Sequence, residues 1–208
     1  MPLFIRFESV GGADRRDCTV DGLRIRNARM QAGTSPVDGS RTNSYGATGI
    51  AVSGGFDHLA LRNVTVENVT RAAGAGLPGS QGCAGISING AGVSNPRHVL
   101  IEDFTISNVD SDDPTNSPWR GDMDGVLVFQ APEASGTRPV VRRGSITNAA
   151  GRAVKMYAPG GGGLTEDVTI FRSRPGGPNG SIDIAHQHGD GKIRNIRIIY
   201  AGDAHANR

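Results

Sequence analysis

The chain is poor in several things, and each shortage removes a class of explanation. It has no apolar run near the roughly 18 residues that a membrane span needs. Its start, MPLFIRFESV, lacks the basic opening and long apolar centre of a signal peptide. Two cysteines, Cys18 and Cys83, are too few for a disulfide framework, and each reads as a small buried apolar residue. Neither sign of charge dominates: 22 basic and 20 acidic residues, spread along the chain, leave a net charge of +2, so no nucleic-acid or membrane footprint is expected. Aromatics are scarce, with six Phe, three Tyr and one Trp, which argues against one large aromatic core. Glycine is abundant instead, 31 of 208 residues, and favours many turns with thin, regular packing. The remaining composition is that of a soluble globular chain, long enough to bury a core as one domain over residues 1–208.

The glycines punctuate a repeat. Four segments can be stacked on one another: VDGLRIRNA (20–28), LRNVTVENV (61–69), IEDFTISNV (101–109) and VRRGSITNA (141–149). Each opens on an apolar residue, continues with a bend-prone or charged pair, places two apolar residues at i and i+2, and closes on asparagine followed by Val or Ala. The closing asparagines Asn27, Asn68, Asn108 and Asn148 are separated by 41, 40 and 40 residues. IRNIRIIYA (193–201) fits with Tyr200 in the last slot, and TEDVTIFRS (165–173) fits more loosely with Arg172 there.

Shorter runs, usually led by glycine, precede most of these segments: GIAVSG, GISING, GVLVFQ, AVKMYA and SIDIAH. Their apolar residues alternate with period two, as in Ile50 and Val52, Ile86 and Ile88, Val126 and Val128, Val154 and Met156, Ile182 and Ile184. Asn63, Asp103 and Asn195, which tolerate a left-handed backbone, separate a second strand from a third in each repeat. A chain that bends there without a long loop is coiling rather than forming hairpins.

This pattern resembles the right-handed parallel β-helix of the pectin-lyase-like superfamily over essentially the whole chain. The resemblance implies an all-β, right-handed, single-stranded solenoid of about six rungs, with three strands per rung and rungs roughly 4.8 Å apart. Leu23, Val64, Phe104, Gly144, Val168 and Ile196 are expected in one inward ladder, with Gly144 leaving room for Phe104. The asparagine amides are expected to bond up and down the stack. The NVT sequons at Asn63 and Asn68 are then explained by turns rather than by glycosylation. Solenoid ends need covering, and neither MPLFIRF nor AGDAHANR reads as a capping helix. A fragment of a longer protein, a capping partner chain, or a homo-oligomer such as the trimers of tailspikes is the expectation.

In that superfamily function sits on the outward face of the first strand of each rung, in a groove walled by loops. Long connections at roughly residues 29–49, 70–84 and 110–124 supply candidate walls. Alternation puts Ser87 and Asn89, Leu127 and Phe129, Lys155 and Tyr157, Asp183 and Ala185 outward, with Trp119 on a loop leading in. Aromatics beside carboxylates suit a sugar chain, although Lys155 and Asp183 could equally form a plain surface ion pair.

GDMDGVLV (121–128) is similar to the Asn-Thr-Asp-Gly strand entrance of polygalacturonase-like glycoside hydrolases and phage tailspike depolymerases, and GRAVKMYA (151–158) resembles the GRAIK type of rung in phage-associated β-helix proteins. The family's adjacent Asp-Asp pair is missing from the next rung, its Gly-His-Gly appears only as Gln187, His188 and Gly189, and Arg152 to Lys155 is one residue longer than Arg-x-Lys. The resemblance implies a polysaccharide-degrading enzyme, extracellular or virion-associated. Asp122, Asp124, Lys155 and Asp183 are its candidate catalytic residues, and Asn89, Trp119, Phe129, Arg152, Tyr157 and His188 its substrate contacts.

Glycoside hydrolysis needs an acid and a second carboxylate, about 5 Å apart for retention and roughly 6.5–9.5 Å for inversion. Asp124 and Asp183, two rungs apart, would have Cα atoms near ~10 Å and suit inversion. Asp122 and Asp124 could instead divide the roles, one pKa being raised by the other's charge. Arg152 and Lys155 would bind an acidic sugar or keep the base ionised. A lyase is the rival: it needs a Lys or Arg base and a cation, for which Asp110, Asp112, Asp113, Asp122 and Asp124 offer oxygen ligands to calcium. Their spacing matches no dedicated calcium loop, so no metal site is assigned. His186 and His188 fall at a strand end and read as turn histidines rather than metal ligands. The acidic pair also has a plain reading as a turn, and the same ladders would serve a non-catalytic spacer or carbohydrate-binding module.

Overall fold

The computed structural model describes residues 5–8, 15–30, 47–71, 83–89, 96–111, 123–129, 137–157, 162–172, 184–187 and 190–200. Among them there is no helix. In chain order the strands are β1 Ile5–Glu8, β2 Arg15–Asp21, β3 Arg24–Arg26, β4 Arg29–Met30, β5 Thr48–Ser53, β6 Phe56–Arg62, β7 Thr65–Arg71 and β8 Ala84–Asn89. They continue with β9 Leu100–Ser111, β10 Asp124–Phe129, β11 Val140–Ala149, β12 Val154–Tyr157, β13 Leu164–Arg172, β14 Ile184–Gln187 and β15 Lys192–Tyr200.

Every pairing between these strands is parallel, and the chain visits two sheets in turn. The first sheet has the order β1-β5-β8-β10-β12-β14. The second runs β15-β13-β11-β9-β6-β2, with β3 and β4 paired to β7 and β7 to β9. Each strand therefore lies beside its counterpart from the chain's next visit, an arrangement compatible with a β-helix or solenoid.

Single residues in the left-handed region make the bends. Asn63, Asp103, Arg143, Asp167 and Asn195 have φ between 47° and 55° and occupy equivalent places on successive strands. One such residue redirects a strand without a loop, and Asn and Asp adopt this backbone at less cost than most residues that carry a side chain. Where three strands per turn are expected from sequence, β9, β11, β13 and β15 run unbroken through this residue, so the second and third segments share one bent sheet.

A second column of left-handed residues is the asparagine series itself, Asn27, Asn68, Asn108 and Asn148, with φ of 58°, 58°, 56° and 54°. Asn68 Nδ2 donates to Asn27 Oδ1 at 3.0 Å, Asn108 Nδ2 to Asn68 Oδ1 at 2.9 Å, and Asn148 Nδ2 to Asn108 Oδ1 at 3.5 Å. The expected pile of amides is present. On the next strand Arg172 follows Asn148 in this column; it is buried, and its guanidinium donates to the carbonyls of Ala149 and Gly151 at 2.8 and 2.6 Å.

The core lies between the sheets and is built from ladders. Ile50, Ile86, Val126 and Val154 form one row of the first sheet, and Val52, Ile88, Val128 and Met156 another, all buried. Across from them Val66, Ile106, Ile146 and Ile170 stack in the second sheet. Burial of each such side chain contributes about 1.5–3 kcal/mol before entropy is counted. Gly144 faces Phe104 in the inward ladder named from sequence, and a Cβ at Gly144 would sit 2.3 Å from the Phe104 ring. The glycines that lead the short runs have a similar cause: a Cβ on Gly49 would meet Gly85 O, one on Gly85 would meet Gly125 O, and one on Gly125 would meet Ala153 O, each at 2.6 Å.

A feature passed over in the sequence is a row of alternating charge, Asp21, Arg62, Glu102, Arg142, Glu166 and Arg194, one residue from each successive strand of the second sheet. Its centre is Glu102, which is 5% exposed and meets Arg62 at 2.8 Å, Arg142 at 2.8 Å and Arg143 at 2.6 Å. Burial on its own would raise the Glu102 pKa, but the hydrogen bonds and charges of Arg142 and Arg143 outweigh it and hold the carboxyl below the ordinary range.

Candidate functional site

The outer side of the first sheet carries the candidate site, and its rows follow from the register. One row is Ala51, Ser87, Leu127, Lys155 and Ala185; the next is Ser53, Asn89, Phe129, Tyr157 and Gln187. The last strand is paired two residues later than the sequence alignment expects: Ile184, not Ile182, lies opposite Val154, and Ala185 lies opposite Lys155. A slip of two keeps each side chain on its face, so alternation alone does not reveal it.

Phe129 and Tyr157 are brought together. Their rings stack with centroids 4.6 Å apart and planes 8° from parallel, and Phe129 is 36% exposed. The stack uses one face of each ring, and Phe129 stays partly open to solvent. The backbone of Asn89 holds the adjoining place in the row. The neighbouring row differs from an open groove: Leu127 is 2% exposed and Ser87 3%, so this stretch of the outward face is covered. Period-two alternation assigns a face, not its solvent access.

Asp124 is 1% exposed. Its Oδ1 accepts the backbone N–H of Arg152 at 3.2 Å, while Gly151 N donates to Met123 O and Gly125 N to Arg152 O, each at 2.9 Å. The entrance of β10 is thus clamped to the residues leading into β12, with the carboxylate standing in for a backbone carbonyl. Arg152 thus presents its backbone amide to Asp124. Lys155 pairs with Leu127, three residues beyond Asp124 on the strand, roughly 10 Å along it. Asp124 and Lys155 are therefore not direct neighbours in the register.

Asp122, Trp119, Asp183 and His188 lie outside the described residues, as do the side chain of Asn89 and most of the three long connections. His186 is described and is not a turn histidine. It sits on β14 opposite Met156, its Nε2 is 2.9 Å from Thr165 Oγ1, and burial pushes its pKa down. Of the five aspartates considered for calcium, Asp110 and Asp124 are described, and neither belongs to a three-ligand group among the described residues. One group missed in the sequence is Asp57, His58 and His98, although His58 and His98 are 40 residues apart, the interval of the asparagines.

Compared with known proteins, the chain matches no family model, no curated protein and no solved structure.

Proposed function

We propose that the chain is a right-handed parallel β-helix of about six rungs that binds a polysaccharide along the outer side of its first sheet. One strand per turn in a six-stranded sheet supports the rung number, and the strong right-handed bias of parallel crossovers supports the hand. The observation that carries the binding reading is the Phe129–Tyr157 stack on the outer side of adjacent strands. Sugar rings have apolar faces and hydroxyl edges, and an exposed aromatic step with amide positions in its row suits both. A polysaccharide ligand goes with an extracellular or virion-surface setting. A second chain would stack on β15, where Ile193, Ile198 and Tyr200 are exposed.

Binding is favoured over cleavage by Asp124, which is buried and accepts the Arg152 backbone amide. A general acid or base must reach the bond it acts on. The test is a panel of bacterial and plant polysaccharides in affinity electrophoresis, read beside assays for reducing ends and for ultraviolet-absorbing unsaturated products. The expected result is retardation by one acidic or neutral glycan, lost in Phe129→Ala and Tyr157→Ala, with no product. Retardation by none, or retardation indifferent to both substitutions, rejects the reading. Released reducing ends would make the chain a hydrolase, and unsaturated products a lyase.

A further inference from the structure

We propose that Asp57, His58 and His98 form a binding site for a divalent transition-metal ion such as zinc on the second sheet, independent of the glycan surface. The three residues come from two adjacent turns. Asp57 and His58 lie on β6, and His98 lies in the segment leading into β9. The backbone holds them in place: Asp57 bridges Arg97, Arg97 N donates to Phe56 O at 2.6 Å, and His58 N donates to Arg97 O at 3.1 Å. His58 and His98 both have left-handed backbones, φ 57° and 47°, which sets their imidazoles in equivalent positions on successive turns. The rings stack 4.2 Å apart and 15° from parallel.

Both Nδ1 atoms converge on one oxygen. His98 Nδ1 lies 2.7 Å and His58 Nδ1 3.2 Å from Asp57 Oδ1, and all three ligand atoms are within 4.8 Å of one another. An ion held at about 2.0–2.2 Å by nitrogen and oxygen ligands in tetrahedral or octahedral geometry separates neighbouring ligands by about 2.8–3.6 Å. The 3.2 Å separation lies within that range and the 2.7 Å one just below it, so an ion would replace shared protons once His98 Nδ1 and Asp57 Oδ1 move slightly apart. Rotation of the exposed His58 side chain adjusts the remaining edge.

The ligand set also selects the ion. Two imidazoles and one carboxylate suit zinc, copper or nickel, whereas calcium and magnesium require several oxygens. Arg16, the strand partner of Asp57, places a positive charge nearby, so affinity must come from nitrogen donation rather than from a negative surface. Both histidines are exposed, which leaves further coordination positions open to water or to a ligand.

Zinc titration of the chelator-treated full chain by calorimetry, with nitrogen-15 spectra of the histidine rings recorded in parallel, tests the site. One saturable equivalent is expected, with zinc shifting the Nδ1 resonances of His58 and His98 and leaving His186 unmoved. His58→Asn and His98→Asn keep a residue suited to the left-handed backbone, and each should weaken binding by about tenfold or more. Calcium should not compete. Absence of saturable binding, zinc shifts confined to other histidines, or an affinity unchanged in the double Asn variant would overturn the proposal. The ring spectra of the unsubstituted chain decide the matter even if a variant fails to fold.

Discussion

Asn108 donates its side-chain amide to the side-chain oxygen Oδ1 of Asn68 at 2.9 Å, across 40 residues of chain. Asn148 in turn approaches Asn108 at 3.5 Å, so each amide links one turn of the chain to the turn before it. The same residues supply the left-handed bend, with φ of 58°, 56° and 54° at Asn68, Asn108 and Asn148. Asparagine thus does two jobs at this corner: it accepts the backbone strain, and it ties the strands together.

Those two jobs can be separated by substitution. Asn108→Ala loses the amide contacts and places a Cβ in a left-handed residue, and is expected to cost about 2 kcal/mol in urea unfolding. Asn108→Gly keeps the backbone free and loses only the amide, so its cost should be about half as large. A cost near zero in Asn108→Gly, with Asn108→Ala still destabilised, would mean that the column contributes no bonding of its own.

The Gly144 and Phe104 pair predicts non-additivity. A Cβ at Gly144 would lie 2.3 Å from the Phe104 ring. Gly144→Ala should therefore destabilise by about 1–3 kcal/mol, as overpacking does. Combined with Phe104→Leu the loss should be smaller than the sum of the two single losses by at least about 0.5 kcal/mol. The measurement is a double-mutant cycle in denaturant.

Glu102 and His186 contribute to the response to acid. The Glu102 carboxyl titrates below its ordinary value of 4.5 in the folded chain, because Arg142 and Arg143 outweigh its burial. A lowered folded pKa gives stability that is complete above the unfolded value and is lost as pH falls through the folded one. His186 is pushed below 6.5 by burial, so the unfolded chain takes up its proton first, and stability begins to fall as pH drops below 6.5. Unfolding curves from pH 8 to pH 3 should show both losses, the upper one reduced in His186→Gln and the lower one in Glu102→Gln.

Asp124 provides a test of role. Asp124→Asn retains an oxygen that can accept the Arg152 amide and should fold with little loss, whereas Asp124→Ala removes this acceptor and should cost about 1–3 kcal/mol. Glycan retardation should be unchanged in Asp124→Asn. A loss of ligand behaviour in that variant without a loss of stability would return Asp124 to the chemistry.

What could be read from sequence was what repeats. The interval of 40 residues located the asparagine column, and period-two alternation located the inward rows, because both are properties of a strand and its copy. Gly144 was readable as room for Phe104 since size complementarity shows in a ladder. The charge row around Glu102 was equally open to reading: Arg62, Glu102 and Arg142 are also 40 apart, but their significance lies in alternation of sign between copies rather than in likeness. His58 and His98 were hidden for a different reason, sitting before the repeat as framed. The burial of Leu127 and Ser87 depends on what covers a face, and the register of β14 depends on pairing, neither of which alternation encodes. Asp124 stayed ambiguous in sequence because a carboxylate at a strand entrance looks the same whether it meets a substrate or a backbone amide.

The whole account depends on distant segments being parallel neighbours. Amide-to-amide nuclear Overhauser contacts in a perdeuterated sample would test this most directly, along the row Thr65, Thr105, Ser145 and Thr169. Contacts linking each residue to the next in that row, with the flanking residues in the same parallel order, are the predicted result. A pattern in which these segments instead show antiparallel contacts to their sequence neighbours, with none across the row, would contradict it.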